Sequence, residues 1–306
     1  MYKKMLIPLD GSELAEIVLS YATELAGRLD LEASLLHVCD SSSSDMQFMC
    51  SAYIERVAEK VREGSRDVQS MTGASSGIKT VKATSKVLTG HPAEEIIRYA
   101  KEDNFDFILM ATHGRSGVRR WVMGSVADKV LRASPVPVWL VRANIPEEII
   151  REEWHNRTML VPLDGSKLAE EVLPHVESLA EQRGVEKMKI VLLRVAEDPF
   201  VTADYPYKDF EEHVKRTKEQ FKQGAETYLE GIQQQLTQSG LKVDFEVLQG
   251  DPADEIIEYA HENLPNLVVM TTHGRSGIGR WEYGSVADKV LHGVSSPIFL
   301  VRQHKI

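Results

Sequence analysis

The chain has 306 residues, 42% of them hydrophobic and 27% charged, with a formal net charge of −10. This is the make-up of a globular protein with room for two separately cored domains, and its acidity argues against a nonspecific nucleic-acid binder, which needs a basic surface. Cys39 and Cys50 are the only cysteines, too few for a disulfide framework or a zinc site, and no apolar run is long enough for a signal-peptide core or a membrane span, so the expectation is a cytoplasmic protein without membrane or nucleic-acid partners.

In chain order, Lys4–Leu9 is predicted to be a strand, followed by a helix capped by Ser12 and running to about Leu29, with Leu14, Ile17, Val18, Tyr21 and Leu25 on its apolar face. Ala33–Cys39 is a second strand. Asp40–Ser51, with four consecutive serines, reads as a loop, and Ala52 to about Val68 as a polar helix. Thr80–Leu88 alternates like a half-buried strand, and Gly90-His91-Pro92 opens a helix with proline in its first turn. Phe105–Ala111 is a fully apolar strand, Ser125–Ala133 a helix, and Val136–Val141 a last strand.

The second half repeats the first. MLIPLDGSELAE at Met5–Glu16 returns as MLVPLDGSKLAE at Met159–Glu170, an offset of 154, and HGRSGVRRWVMGSVADKVL at His113–Leu131 returns as HGRSGIGRWEYGSVADKVL at His273–Leu291, an offset of 160. Strands are expected at Met159–Leu163, Lys189–Val195, Lys242–Leu248, Asn266–Thr271 and Pro297–Val301, with the extra residues around Glu197–Phe210. Alternating strands and helices in each half imply an α/β fold: two tandem, doubly wound, five-stranded parallel-sheet domains of Rossmann type, strand order 3-2-1-4-5, related by a pseudo-two-fold axis. The domains are set at 1–143 and 157–306, joined by a charged linker at 144–156.

Ligands of such sheets bind beyond the carboxyl ends of the strands, where strand order reverses. That point lies between strands 1 and 4, which end in the duplicated turns Asp10-Gly11-Ser12 and Thr112-His113-Gly114. Gly114 is separated by nine residues from Gly124-Ser125, and Ser125 opens a helix. Glycines let the backbone approach an anion, and the helix start offers unpaired N–H groups and a positive dipole end. Asp10 is an acceptor suited to ribose hydroxyls. A nucleotide satisfies both demands.

The pattern Ala111-x-x-Gly114-x9-Gly124-Ser125, its mate Thr271-x-x-Gly274-x9-Gly284-Ser285, and the segments IPLDGS, LHV, GHPAEEI and PVPVWLVR resemble the universal stress protein family, whose ATP-binding members carry G-x-x-G-x9-G-[S/T]. The resemblance covers essentially the whole chain as two family domains. It implies an adenine nucleotide, ATP or AMP; for slow hydrolysis, Mg or Mn would ride on the phosphates and not sit in a protein cage. The residues implied are Pro8, Asp10, Val38, Ala111, His113, Gly114, Gly124, Ser125 and Val126 in the first half, and Pro162, Asp164, Val195, Thr271, His273, Gly274, Gly284, Ser285 and Val286 in the second. One position departs from the pattern in both copies. Ala111 and Thr271 replace its first glycine, and their Cβ atoms crowd the backbone approach, so altered affinity is expected. The family's last strand often pairs across a dimer, and Pro135, Pro137 and Pro297 suit edge strands, so the halves are expected to pair internally, with a further homodimer and an unknown protein partner left open.

Plainer readings exist for each residue. Ser125-x-x-Asp128 and Ser285-x-x-Asp288 approximate capping boxes, Asp-Gly-Ser suits a tight turn, and Arg115, Arg120, Arg275 and Arg280 fit either a phosphate or a solvated surface. His113 and His273 have no visible catalytic partners, and no G-x4-G-K-[S/T] loop is present. Three functions therefore stand: a nonenzymatic nucleotide-responsive stress protein, a slow metal-assisted ATPase, and a nucleotide-free scaffold. Gly279 in place of Arg119, and Glu282-Tyr283 in place of Val122-Met123, make the first loop the more positive.

Overall fold

The computed structural model describes residues 1–39, 43–71, 81–112, 123–142, 145, 157–197, 210–274 and 283–302. The chain divides into two compact units, Met1–Glu152 with Ser296–Ile306, and Glu153–Ser295. The expected linker, apart from Ile145, and the expected insertion from 198 to 209 lie outside the described residues. Among the described residues no helix is long and apolar enough to cross a membrane.

The first unit runs β1 (Lys4–Pro8), α1 (Glu13–Glu16), α2 (Val18–Leu29), β2 (Glu32–Cys39), α3 (Ser44–Met71), β3 (Ala83–Thr89), α4 (Pro92–Glu102), β4 (Phe107–Ala111), α5 (Ser125–Ala133) and β5 (Val138–Val141). Its strands lie in the order β3-β2-β1-β4-β5, all parallel. The apolar run FILMA of β4 is buried at every position, as expected of a strand covered on both faces, whereas β3 alternates. Ser12 caps α1, its Oγ accepting from the Ala15 N–H at 3.2 Å. Pro92 occupies the first turn of α4.

The expected loop at Asp40–Ser51 is corrected from Ser44 onward, where α3 already begins. Serines break helix interiors but start helices well. Here the Ser43 carbonyl accepts the Gln47 N–H at 3.0 Å, and Asp45 sits in the first turn, where the helix dipole favours an acid. Residues 43–49 are exposed, and Cys50 is the first buried position of the helix. Farther along, α3 lies close against α2 because Gly27 and Gly64 lack Cβ atoms. A Cβ on Gly27 would come within 2.8 Å of the Ser65 carbonyl, and one on Gly64 within 2.7 Å of the Thr23 methyl.

The second unit repeats the plan with β6 (Arg157–Pro162), α6 (Lys167–Glu170), α7 (Leu173–Arg183), β7 (Met188–Ala196), α8 (Phe210–Gln238), β8 (Lys242–Gln249), α9 (Pro252–Asn263), β9 (Leu267–Thr271) and α10 (Ser285–Gly293). Parallel pairing of β6 with both β7 and β9, and of β7 with β8, reproduces the 3-2-1-4 order.

The last strand, β10 (Ile298–Val301), belongs to the first unit and pairs antiparallel with β5, Phe299 opposite Trp139. Pro135, Pro137 and Pro297 sit just before these strands and not within them, so β5 can bond on both sides. Phe299 is fully buried and meets Trp139, Phe107 and Tyr2 at ring-centroid distances of 5.7, 6.0 and 5.9 Å. Tyr2 in turn meets Phe107 at 5.4 Å. This aromatic cluster makes the C-terminal strand part of the first unit's core. Replacing Phe299 by alanine is expected to cost about 3–5 kcal/mol, read by urea unfolding with Trp139 as the fluorescent reporter. An unchanged midpoint would mean that the cluster is not a core.

Candidate functional site

Each unit carries a hollow at the carboxyl edge of its sheet, between the first strand and the one that follows the reversal of strand order. In the first unit it measures about 280 Å³ and in the second about 390 Å³. Pro8, Asp10, Val38, Ala111, Gly124, Ser125 and Val126 line the first. Pro162, Asp164, Val195, Thr271, His273, Gly274, Gly284, Ser285 and Val286 line the second. His113 and Gly114, like Arg115, Arg120, Arg275 and Arg280, lie outside the described residues.

One wall is the turn after the first strand. Asp10 Oδ1 accepts the Ser12 N–H at 3.0 Å and the Ser12 hydroxyl at 2.6 Å, and Asp164 Oδ1 accepts the Ser166 N–H at 2.8 Å. Gly11 and Gly165 take positive φ angles of 85° and 86°, as this turn requires. Turn-forming and pocket-facing roles thus coincide in one carboxylate, because fixing Oδ1 in the turn sets the direction of the whole group. In the second unit that group rests on Gly274, where a Cβ would lie 2.0 Å from Asp164 Oδ2. Only glycine fits there.

The opposite wall is a helix start. The Gly124 N–H donates to the Thr112 carbonyl at 2.9 Å, and the Gly284 N–H to the Thr272 carbonyl at the same distance, so each helix start is tied to the residue that follows its strand. Gly124 and Gly284 are the N-cap residues, with no side-chain cap on α5 or α10. The capping-box reading is therefore corrected: Ser125 and Ser285 are the first helical residues, and Asp128 turns instead to Arg132 at 2.9 Å. A helix lacking a side-chain cap must satisfy its first N–H groups by other means, and an anion is one. Ser125 and Val126 carry two of those groups at the first hollow, Ser285 and Val286 at the second.

Where the pattern expects glycine, Ala111 and Thr271 are 8% and 6% exposed, so little of either side chain projects into open space. The Thr271 hydroxyl donates to the His273 carbonyl at 2.7 Å, and the Thr272 hydroxyl bonds His273 Nδ1 at 3.0 Å. These bonds shape the chain as it leaves β9. Wall residues missed by the sequence reading include Pro92, Ile96 and Met110 in the first hollow and Asp251, Pro252, Ile256 and Met270 in the second. GHPAEEI and GDPADEI repeat at the same offset of 160 as the glycine loops, and that repetition was the available signal.

Around the hollows the copies differ. Val38 and Val195 are flanked by His37 and Arg194. The His37 Nδ1 lies 2.8 Å from the Leu9 carbonyl, and its ring meets Tyr53 edge-on at 5.6 Å. Arg194 lies over the Tyr228 ring at 4.8 Å. Each tyrosine donates to a matched acid: Tyr53 to Glu16 at 3.0 Å, Tyr228 to Glu170 at 3.3 Å. Cys39, which has Ala196 in the equivalent place of the second copy, is joined to Cys50.

The sequence profile of the Universal stress protein family matches residues 1–142 and 155–302. The chain belongs to the universal stress protein family. Two single-domain members each resemble about half of it: universal stress protein YxiE of Bacillus subtilis, 30% identical over 148 residues, covers 46% of this chain and all of its own length, and a universal stress protein of Methanothermobacter thermautotrophicus, 30% identical over 146, covers 46% of this chain and 97% of its own. The crystal structure of a universal stress protein from Archaeoglobus fulgidus aligns over 98% of both chains with a TM-score of 0.63 at 21% identity, a likeness of fold.

Burial, followed by the neighbouring Glu16, holds the Tyr53 phenol above its ordinary range; burial and Glu170 do the same for Tyr228. Because the folded-state values are raised, the stability these phenols contribute is full below the ordinary value of about 10 and lost as pH rises through the raised one. A spectrophotometric titration of wild type against Tyr53→Phe is expected to show the missing phenol ionising well above that value. A missing step at the ordinary value would contradict the buried pairing.

Proposed function

We propose that the protein binds an adenine nucleotide, ATP or AMP, in each hollow and acts as a nonenzymatic regulator whose interaction surface responds to occupancy. The observation that carries this is the opposition, in both units, of an oriented carboxylate and a helix start without a side-chain cap across an open cavity. Asp10 and Asp164 would accept from the ribose hydroxyls, and the N–H groups of Ser125, Val126, Ser285 and Val286 would take the phosphates. Val38 and Val195, at the strand ends, would line the base. A Cβ at Gly274 would displace the Asp164 carboxylate and with it the acceptor for the ribose. Bound nucleotide supplies its own charge, with Mg or Mn on the phosphates.

Charge distinguishes the two pockets. Asp251 lines the second pocket where the first copy has His91, and Gly279 and Glu282 stand in the second copy where the first has Arg119 and Val122. An anion is therefore held more favourably in the first pocket, which supports a preference for triphosphate there. The family profile, matching 1–142 and 155–302, supports 1–143 and 157–306 as the functional domains, joined at 144–156. Internal pairing of the last strands, the intramolecular counterpart of a dimer, is supported by Phe299 standing opposite Trp139, its own counterpart at the 160-residue offset. A cytoplasmic location accords with this reading.

Calorimetric titration of the wild-type chain is expected to show two sites. Asp10→Ala should weaken the first by roughly tenfold or more, the scale of a hydrogen bond to a charged group, and leave the second. Gly274→Ala should weaken the second by displacing Asp164 and leave the first. If neither substitution alters the titration, the nucleotide lies elsewhere.

A further inference from the structure

Cys39 ends β2 immediately after Val38 of the first pocket, and Cys50 is the first buried residue of α3. Their sulfurs are bonded across 11 residues of sequence, and both residues are buried, at 2% and 8% exposure. The second unit shows what the fold needs at these places. Aligning the matched tyrosines Tyr53 and Tyr228 sets Cys50 opposite Ala225, and aligning LLHVC with LLRVA sets Cys39 opposite Ala196. Both alanines are buried, and Ala225 is likewise the first fully buried described residue of its helix, α8. The same architecture is thus built without a crosslink. Both cysteines occur in one copy and neither in the other, as expected if they act only as a pair.

The chemistry around the pair is also particular to the first unit. The ligand atoms of His37, Cys39 and Cys50 lie within 4.8 Å of one another, and all three residues are buried. An imidazole beside a thiol favours the thiolate, the form that undergoes exchange. Arg194 occupies the place of His37 in the unit that has no cysteine. The bond ties the first turns of α3, where residues 44–49 are exposed, to the strand end that carries Val38 and His37 of the pocket wall.

We propose that Cys39 and Cys50 form a reversible dithiol–disulfide pair that sets the rigidity of the first pocket's wall and thereby its nucleotide affinity, leaving the second pocket insensitive. The effect on affinity rests on the nucleotide reading above; the thiol chemistry does not. The co-reactant is a low-molecular-weight disulfide. One cysteine thiolate attacks it, forming a mixed disulfide and expelling a thiolate that takes up a proton. The other cysteine thiolate then displaces the second external thiolate, which is protonated in turn. Two protein thiols and one external disulfide give one protein disulfide and two external thiols.

The test equilibrates the full chain in reduced and oxidised glutathione over a range of ratios, counts thiols by alkylation and intact mass, and follows hydrogen exchange of residues 44–50. Two alkylatable thiols at the reducing end, none at the oxidising end, and faster exchange in the reduced form are expected. AMP and ATP titrations then use Asp164→Ala, which leaves the first pocket, and Asp10→Ala, which leaves the second. Affinity should change severalfold with redox state only in the former, and not at all once Cys39→Ala and Cys50→Ala reproduce the second unit's residues. A pair that stays bonded or stays reduced across the whole range overturns the proposal, as does titration without any change in exchange or affinity. Zinc retained stoichiometrically by the reduced chain and lost in Cys39→Ala overturns it in favour of a metal site. If no nucleotide binds under any condition, the nucleotide reading fails, while thiol counts and exchange still decide the switch.

Discussion

Two backbone hydrogen bonds, Gly124 to Thr112 and Gly284 to Thr272, hold the candidate sites together. Each makes a glycine the N-cap of the following helix, so that the cap residue itself brings no side chain to the place where an anion could bind. Because β4 and β9 are the neighbours of β1 and β6, the same bonds bring those helix starts opposite Asp10 and Asp164. The aspartates are oriented independently by Asx turns with Ser12 and Ser166. Chemistry of opposite character thus meets across a hollow, the helix start set by a main-chain bond and the carboxylate by its own turn.

Much of this was legible in the residues. The duplicated turns mark where both hollows lie, since glycine spacing and an acid at a strand end report backbone demands that few other sequences meet. What was misread had a common cause. Serine is ambiguous between breaking a helix and starting one, and only the Gln47 bond to Ser43 puts Ser43 and Ser44 at a helix start. Ser125 was weighed as a cap for the same reason. The walls formed by Pro92, Ile96 and their mates escaped notice because apolar residues on a helix face look alike whether they meet the core or a cavity. The pairing of Cys39 with Cys50 depends on where α3 begins, and that start was placed two turns late.

The two copies have diverged around an unchanged frame. His37 and Arg194 both rest on a tyrosine that donates to a glutamate, so the packing is kept while the charge beside the pocket changes. The second pocket has an acid, Asp251, where the first copy has His91. The first has a linked cysteine pair where the second has two buried alanines. Duplication lets one site keep a basal property while the other acquires a condition on it, and these substitutions fall where such a condition would act. In the same chain, the C-terminal strand completes the aromatic core of the first unit through Phe299, so the folding of that unit depends on the chain's far end.

The central claim is that the twin hollows are adenine-nucleotide sites, and a crystal structure grown at saturating AMP tests it most directly. The account predicts density for a nucleotide in both cavities, the ribose against Asp10 and Asp164 and the phosphate on the N–H groups of Ser125, Val126, Ser285 and Val286. Both hollows holding only water at saturating ligand, or nucleotide bound away from them, would contradict it.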